Sequence, residues 1–312
     1  MLERLGDRRP DPRGEGAELA TRRSQRSQER IAAREARRRK RAARRRESEV
    51  VRTTPHLALL RSPPRTRPQR PLAGRIVVAT YNVHRWTGIN GRSRPDPARA
   101  GFVISELDAD LIALQEVLRP LRGEDPLVRL ADALGMHVTF ATTRAHRRGE
   151  IGNAILSRWP IAAVSMLDLS IGRLEKRVAV AVQLRDGHGE LDVVSTHLAL
   201  ADRTRHRQVR SLLDHPRMRE TPTILMGDMN AWRQCRATRT LDEELKSHHN
   251  AEWPASFPAA GPMLALDRIY ASGARLVAID VHASRAARRA SDHLPVVAQV
   301  ELGTDAPAPS EA

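Results

Sequence analysis

Six short clusters of carboxylate, amide and imidazole side chains stand out in this sequence, each placed where an apolar run stops. The clusters are Thr80-Tyr81-Asn82, Leu114-Gln115-Glu116, Ser195-Thr196-His197, Gly227-Asp228-Met229-Asn230, Leu266-Asp267-Arg268 and Ser291-Asp292-His293. A carboxylate beside an apolar core is costly unless a partner or a metal ion compensates its charge. If the apolar runs end at one edge of the fold, the clusters form one convergent site.

Taken singly, the clusters have simpler explanations. Asn82 suits a turn, Glu116 can pair with an arginine, and Asp228 with Asn230 can cap a helix. Six such clusters at the ends of apolar runs are harder to explain in this way, because loops on a rigid scaffold are where binding and catalytic groups concentrate. Their joint occurrence therefore indicates a functional site.

The elements that must position these clusters are short β-branched runs bounded by turn residues. Strands are predicted at residues 75–84, 110–117, 137–144, 153–159, 177–184, 191–197, 223–230, 267–272, 276–281 and 295–302. Helices are predicted at residues 97–107, 127–134 and 203–213. Because strands and helices do not alternate strictly, the pattern predicts an α/β fold of two packed mixed β-sheets flanked by helices.

Five motifs, in this order, resemble the endonuclease/exonuclease/phosphatase superfamily. They are Tyr81-Asn-Val-His84, Leu114-Gln-Glu-Val117, Ser195-Thr-His-Leu198, Gly227-Asp-Met-Asn230 and Ser291-Asp-His-Leu-Pro295, with supporting pieces at 152–158 and 176–178. One tetrapeptide alone would be a weak signal, whereas the ordered set is a strong one. The resemblance implies a DNase I-like four-layer α/β sandwich and a metal-dependent hydrolase of phosphodiester or phosphomonoester bonds.

The resemblance also assigns catalytic roles. His293 is expected as the general base or as the group that holds the attacking water, with Asp267 fixing its tautomer. Asp228 would orient the water or the leaving group. Asn230 and His197 would donate hydrogen bonds to the phosphate oxygens that gain charge.

The expected metal is Mg²⁺ or Mn²⁺, held by Glu116 with Asn82 and Asp292, since these hard ions prefer carboxylate and amide oxygens. Arg177 and Asn153 are expected as additional phosphate contacts. A zinc site is not expected, because the chain has one cysteine and no His-x-x-x-His pair on a helix.

Several other polar and aromatic residues have no matching signal. The sequence Gly88-Ile-Asn90-Gly91 departs from the Gly-x-Asp-Gly of many relatives, which puts one contact behind the metal ligands in doubt. The remaining histidines, His84 and His137 among them, are expected at the surface or in structural positions. Three tryptophans would either line the cleft or pack in the core, namely Trp86, Trp232 and Trp253.

The formal charge of +16 is unevenly distributed. Residues 1–70 contain 22 basic and 9 acidic residues, so they carry +13 of that charge. Residues 1–74 are interpreted as a disordered Arg-rich arm with a Pro-rich linker, 75–303 as the catalytic domain and 304–312 as a disordered tail. Two alternatives stay open. Residues 20–52 could form a helix that binds an acidic surface, or the Arg-rich leader could precede the true translation start.

The single cysteine, Cys235, excludes an intrachain disulfide and fits a reducing compartment. No apolar stretch reaches the ~18 residues that span a bilayer, and the N-terminus lacks the apolar segment of a secretory signal. These features predict a soluble, cytoplasmic protein, and a monomer is expected.

The substrate stays open, because the family's shared core is common to DNase I-like nucleases, apurinic endonucleases, sphingomyelinases and inositol phosphatases. Nucleic acid is the first expectation, with the arm contacting the polyanion. The alternative is a sphingomyelinase-like enzyme acting on phospholipid or another non-nucleic diester, with the arm on anionic headgroups. An inactive binding module is least favoured, since every expected carboxylate and histidine is present.

Overall fold

A computed structural model describes residues 55–66, 70–172, 175–216, 218, 222–245 and 252–303. Within these residues the strands are β1 His56–Arg61, β2 Gly74–Asn82, β3 Leu111–Arg119, β4 His137–His146, β5 Gly149–Ser157, β6 Ile161–Asp168, β7 Val178–Arg185, β8 Glu190–His197, β9 Thr223–Asp228, β10 Asp267–Ser272, β11 Ala274–Val281 and β12 Val296–Leu302. The helices are α1 Pro97–Glu106, α2 Pro126–Leu134, α3 Asp202–Leu213, α4 Arg236–Glu244 and the short α5 Ala287–Ala290, and a 3-10 turn spans His84–Trp86.

The strands form two mixed sheets. The seven-stranded sheet has the order β1-β4-β5-β3-β2-β12-β11, and the five-stranded sheet has the order β10-β9-β8-β7-β6. The pairs β2 with β3 and β8 with β9 are parallel, and the other pairs are antiparallel. Strands β2, β8 and β9 end at polar clusters, and the cluster of β3 lies inside that strand beside the end of β2, so all four strands contribute to the candidate site.

Three apolar clusters separate the layers of a four-layer α/β sandwich, as predicted. One packs α1 and α2 against the seven-stranded sheet and includes Ile104 and Leu127. The second lies between the sheets and includes Val78 and Val193. The third packs α3 and α4 against the five-stranded sheet, with residues such as Leu241. Because each sheet is covered on both faces, its strands consist of apolar runs that stop abruptly at polar groups.

The predicted helices are confirmed, and their ends follow local chemistry. Before α2, the Asp125 carboxylate accepts a hydrogen bond from the Leu127 N–H at 3.0 Å, and Pro126 occupies the first turn. The helix ends at Gly135, whose φ of 62° lies in the left-handed region that glycine enters without strain.

Strand β1 corrects the predicted domain boundary at residue 75. It pairs with β4, and the Arg61 guanidinium contacts Asp132 at 2.8 Å. The run is short and lies between prolines, so from sequence it is grouped with the arm. The predictions for residues 1–54 and 304–312 lie outside the described residues.

Three further elements, β6, α4 and the short α5, are absent from the predictions. Strand β6 is an edge strand of intermediate burial whose Ala, Met and Leu residues do not alternate in polarity. Helix α4 buries only Ala237, Thr238 and Leu241, so its apolar stripe is narrow. None of the helices in the described residues has the length and apolarity needed to cross a bilayer.

Candidate active site

Three titratable side chains form a row across neighbouring strands of the five-stranded sheet. His197 ends β8 and lies opposite Asp228 of parallel β9, and Asp228 in turn lies opposite Asp267 of antiparallel β10. Residues paired in register project from the same face of a sheet. The strand register therefore brings together three of the predicted catalytic residues.

The close approach of β8 and β9 depends on Gly227. Its φ is 153°, and a Cβ atom at this position would lie 1.9 Å from the Thr196 carbonyl oxygen. Only glycine avoids that overlap with the neighbouring backbone. The glycine before Asp228 thus sets the position of the carboxylate.

The opposite sheet contributes Asn82 at the end of β2. Its Nδ2 donates a hydrogen bond to Asp228 Oδ2 at 3.1 Å, and its Oδ1 accepts from the His84 N–H at 3.0 Å. Nearby, Gln115 Nε2 donates to Ser195 Oγ at 3.3 Å. Both side-chain contacts cross from one sheet to the other and fix the distance between the two halves of the site.

Glu116 is displaced from the regular strand by an irregularity in β3. Its pairing with β5 shifts register between Leu114 and Val117, and the φ of Glu116 is 52°. A β-bulge re-aims a side chain, and a left-handed conformation in a bulky residue is a strain typical of functional sites. Glu116 lines a small cavity together with other predicted site residues, namely Asn153, Arg177 and His197.

His293 is held between two carboxylates. Its Nδ1 lies 2.7 Å from Asp267 Oδ2, and its Nε2 lies 3.8 Å from Asp228 Oδ2. The Ser256 hydroxyl also donates to Asp267 Oδ2, at 2.6 Å, and the Phe257 ring centroid lies 4.9 Å from that of the imidazole. Nδ1 is thus anchored by Asp267, while Nε2 lies on the side of Asp228.

This arrangement shifts two pKa values. Burial opposes the charged imidazolium, but the negative charges of Asp267 and Asp228 outweigh burial and raise the pKa of His293 to about 10. Burial raises the pKa of Asp228 to about 6, with the Asp267 charge adding to the effect and the His293 charge opposing it. Charged carboxylates therefore favour a protonated His293 at neutral pH.

His197 has the opposite character. Burial, followed by the positive charges of Arg177 and His293, holds its pKa well below the usual histidine range. The ring is therefore neutral near pH 7, and its Nε2 lies 3.3 Å from Asp228 Oδ2. A neutral imidazole in this position can donate one hydrogen bond and accept another.

The turn after Asn82 supplies two residues that the sequence prediction missed. His84 Nδ1 lies 3.0 Å from both Asp292 Oδ1 and the Gly88 carbonyl oxygen, and Arg85 Nε lies 3.4 Å from Glu116 Oε2. His84 is expected at a surface or structural position, and the structure places it in contact with Asp292, one of the predicted metal ligands. The signal in the sequence that could have identified His84 is its position inside the Tyr81-Asn-Val-His84 motif.

Two groups of residues have donor atoms suited to a metal ion. Asp228, Asp267 and His293 have ligand atoms that all lie within 4.8 Å of one another, but the close Asp267–His293 contact already uses one oxygen and one ring nitrogen. The predicted set of Glu116, Asn82 and Asp292 offers oxygen donors, which suit Mg²⁺ or Mn²⁺. Its residues are connected through the His84-Arg85 turn, and this donor set fits a hard divalent cation.

The hydrogen bond from His84 and the positive charge of His293 both change the pKa of Asp292, the third residue of that set. Burial raises the pKa of Asp292, but those two contributions outweigh it and lower the value below the ordinary aspartate range. Asp292 is therefore an anion near neutral pH, as a metal ligand must be.

The amide groups of two predicted phosphate contacts already have backbone partners. Asn230 Nδ2 donates to the Leu198 carbonyl oxygen at 2.8 Å, while its backbone N–H donates to Asp228 Oδ1 at 2.8 Å. Asn153 Nδ2 donates to the Val178 carbonyl oxygen at 2.9 Å. The Asn230 side chain therefore connects the loops after β8 and β9, and its expected contact with a phosphate oxygen stays a prediction.

Two arginines and a glutamate complete the cavity wall. Arg177, which is 7% exposed, pairs with Glu175 at 2.9 Å, and Arg144 Nε lies 3.5 Å from the same carboxylate. Arg144 and Glu175 were not predicted, since no motif includes them. Among the tryptophans, Trp86 is buried, Trp253 packs against Tyr270, and Trp232 is 64% exposed.

Known proteins share both the sequence pattern and this fold. A profile of the Endonuclease/Exonuclease/phosphatase family matches residues 79–293. The chain is 30% identical over 254 aligned residues to the uncharacterized protein YbhP of Escherichia coli K12, covering 72% of this chain and 96% of that protein. YbhP of Shigella flexneri matches to the same extent.

Solved structures give the same result. An endonuclease/exonuclease/phosphatase from Beutenbergia cavernae is 25% identical, with a TM-score of 0.57 over 74% of this chain and 72% of that chain. The human Nocturnin catalytic domain with bound sulfate is 20% identical, with a TM-score of 0.57 over 75% and 96% of the two chains, and shares the fold. The family's members are generally divalent-metal-dependent hydrolases of phosphoester bonds. The chain belongs to the endonuclease/exonuclease/phosphatase family.

Proposed function

We propose that this protein is a divalent-metal-dependent phosphodiesterase. The observation that carries the proposal is the convergence on Asp228 Oδ2, which lies 3.1 Å from Asn82 Nδ2, 3.3 Å from His197 Nε2 and 3.8 Å from His293 Nε2. These groups come from four separate segments of the chain. Hydrolysis of a phosphodiester requires polar groups that are already positioned around the reacting atoms, and this convergence supplies them.

His293, which is protonated at neutral pH, donates its Nε2 proton to the leaving oxygen, while Asp267 holds the ring through Nδ1. The Ser256 hydroxyl keeps the Asp267 carboxylate in place from the other side. Asp228 orients the attacking water, because it receives hydrogen bonds on both carboxylate oxygens and is thereby fixed in one rotamer. Asn230 acts as a positioning residue that joins the loops after β8 and β9.

The phosphate oxygens are bound by neutral His197 and by the cationic wall of the cavity. Arg177 is almost fully buried and lines the same cavity as Glu116 and Asn153. A guanidinium in a desolvated cavity binds phosphate more strongly than an exposed one, since water competes less. We place Asn153 and Arg144 beside it as further contacts.

Glu116, Asn82 and Asp292 would hold Mg²⁺ or Mn²⁺. The bound cation would neutralise phosphate charge and stabilise the leaving oxygen. Arg85 lies beside Glu116 in the present structure, with 3.4 Å between Nε and Oε2. That long contact leaves the carboxylate able to take another cation.

Nucleic acid is the proposed substrate class, with the basic arm contributing non-specific affinity. The experiment is a parallel assay of protein with Mg²⁺ or Mn²⁺ on a chromogenic phosphodiester, plasmid DNA, abasic DNA, RNA and anionic phospholipid. Hydrolysis of the chromogenic diester and of one or more nucleic acids is expected. His293→Ala should lower the rate by ~10²–10⁴-fold, the usual contribution of a proton-transfer group.

Two results would contradict the proposal. Full activity in excess EDTA would contradict the assigned metal dependence, and full activity of His293→Ala would contradict the assigned role of His293. Hydrolysis of phospholipid without any cleavage of nucleic acid would support the phosphodiesterase reaction but contradict nucleic acid as the substrate class.

A further inference from the structure

Helices α3 and α4 form a groove with arginines on both walls. Five exposed arginines line it, Arg203 and Arg207 from α3, Arg236 and Arg239 from α4, and Arg233 from the loop before α4. In the sequence these residues lie in two separate segments, and neither segment stands out as a binding site. Tertiary packing turns them into one concentrated positive surface, which we call the arginine groove.

The positive charge of the arginine groove is not compensated within the part of the chain that the structure describes. None of the five guanidinium groups forms an ion pair with a described carboxylate. The acidic residue among the described groove residues, Asp202, pairs with Arg205 instead. The groove therefore presents a positive potential to any anion that approaches.

The spacing of these arginines does not stabilise the helices. Arg203 and Arg207 are four residues apart on α3, and Arg236 and Arg239 are three residues apart on α4. Like charges at these spacings are neighbours on a helix surface and destabilise it. Their placement is explained by an anionic ligand better than by stability.

A buried arginine connects the groove to the candidate active site. Arg205 is 3% exposed, and its Nη1 donates to the carbonyl oxygens of Asn230 at 2.7 Å and Leu200 at 3.0 Å. The Asn230 N–H in turn donates to Asp228 Oδ1 at 2.8 Å. The loops that leave His197 and Asp228 thus lead directly into the two helices that form the groove walls.

Trp232 adds an exposed aromatic side chain next to a groove residue in the chain. It follows Asn230 closely in the chain, directly precedes Arg233, and is 64% exposed. Exposed aromatic side chains beside a cationic channel stack on unpaired bases, and this stacking is tolerant of sequence. A concave channel with cations on both walls also fits a flexible strand better than it fits a flat bilayer.

We propose that the arginine groove binds single-stranded nucleic acid, with successive phosphates on the arginines and a base stacked on Trp232, and guides the strand toward Asp228. The direction in which the strand approaches the candidate active site rests on the proposed phosphodiesterase function. The binding itself can be measured without hydrolysis.

The test measures binding of a fluorescent oligothymidine by anisotropy over a range of salt, in EDTA, with the full-length chain. The triple variant R207A/R236A/R239A is compared with R75A/R185A/R275A, which removes three exposed arginines that lie outside both the arm and the groove. Because each phosphate contact to a single strand contributes about 0.7 to the salt slope, the groove variant should lower the slope by about 2. The control variant should change the slope far less.

A second variant separates base stacking from charge. Trp232→Ala should weaken oligothymidine binding by about tenfold and leave binding of inorganic polyphosphate unchanged, since polyphosphate has no bases. Equal salt slopes for the two triple variants, with melting temperatures like that of the wild type, would overturn the proposal. So would wild-type binding to phosphatidylglycerol vesicles without binding to the oligonucleotide. Hydrolysis of the chromogenic diester is measured separately, so failure of the groove and failure of the proposed chemistry are distinguishable.

Discussion

The Asn82 amide donates a hydrogen bond to the Asp228 carboxylate across the gap between the two sheets, with 3.1 Å between Nδ2 and Oδ2. Asn82 ends a strand of the seven-stranded sheet, and Asp228 ends a strand of the five-stranded sheet. An amide stabilises the buried anion at this point, whereas a second carboxylate would repel it. The contact therefore couples the packing of the two sheets to the charge of Asp228.

Asn82→Asp should make this coupling measurable. The new carboxylate and Asp228 would repel each other in a buried site, which should cost about 2 kcal/mol or more near pH 7. Repulsion raises the pKa of the pair above its unfolded value, so the folded state binds the extra proton more tightly and stability is regained as the pH falls toward 5. Urea unfolding at several pH values measures the effect. Asn82→Ala adds no charge, and an equally large pH dependence in that variant would contradict the explanation.

Asp267→Asn should lower the pKa of His293 from about 10, because the variant removes the nearest negative charge from the imidazole. Titration of the histidine NMR signals in metal-free protein measures the shift. Asp280→Asn, at an exposed position, is the matched control and should leave the titration unchanged. An ordinary histidine pKa for His293 in the wild-type protein would refute the assigned carboxylate contacts.

Glu116→Gln should abolish hydrolysis and the binding of Mn²⁺ measured by calorimetry, because the amide keeps the shape of the side chain but loses its charge. Stability should change by no more than about 0.5 kcal/mol, since Glu116 is partly exposed and its contact with Arg85 is long. Glu190→Gln serves as the control at a surface position. Unchanged Mn²⁺ binding in Glu116→Gln would point to Asp228, Asp267 and His293 as the metal ligands instead.

Gly227→Ala should destabilise the protein by about 2 kcal/mol or more, because its methyl group would overlap the Thr196 carbonyl oxygen and the φ of 153° is strained for alanine. Gly187→Ala is the control, since open space surrounds that position. Thermal unfolding compares the two. Similar melting temperatures for both variants would show that β8 and β9 tolerate a wider separation than this structure has.

Much of the fold and the site could be predicted from local pattern. The β-branched runs and the capped helices follow from side-chain periodicity, and the polar groups from Asn82 to His293 stand where apolar runs stop. The prediction failed where local signals are weak. Strand β1 is short and lies between prolines, β6 has no alternation, and α4 buries a narrow stripe. Such elements depend on the sheet or helix beside them.

The sequence by itself determined the family, the fold class and the residue types available for catalysis, because ordered motifs and short periodicities are local properties of a chain. Tertiary structure alone decided which of those residues meet. It joined Asn82 to Asp228, brought His84 to Asp292, turned the Asn230 side chain to Leu198, and aligned two helices into the arginine groove. Contacts between distant residues depend on sheet register and layer packing, which no single segment specifies.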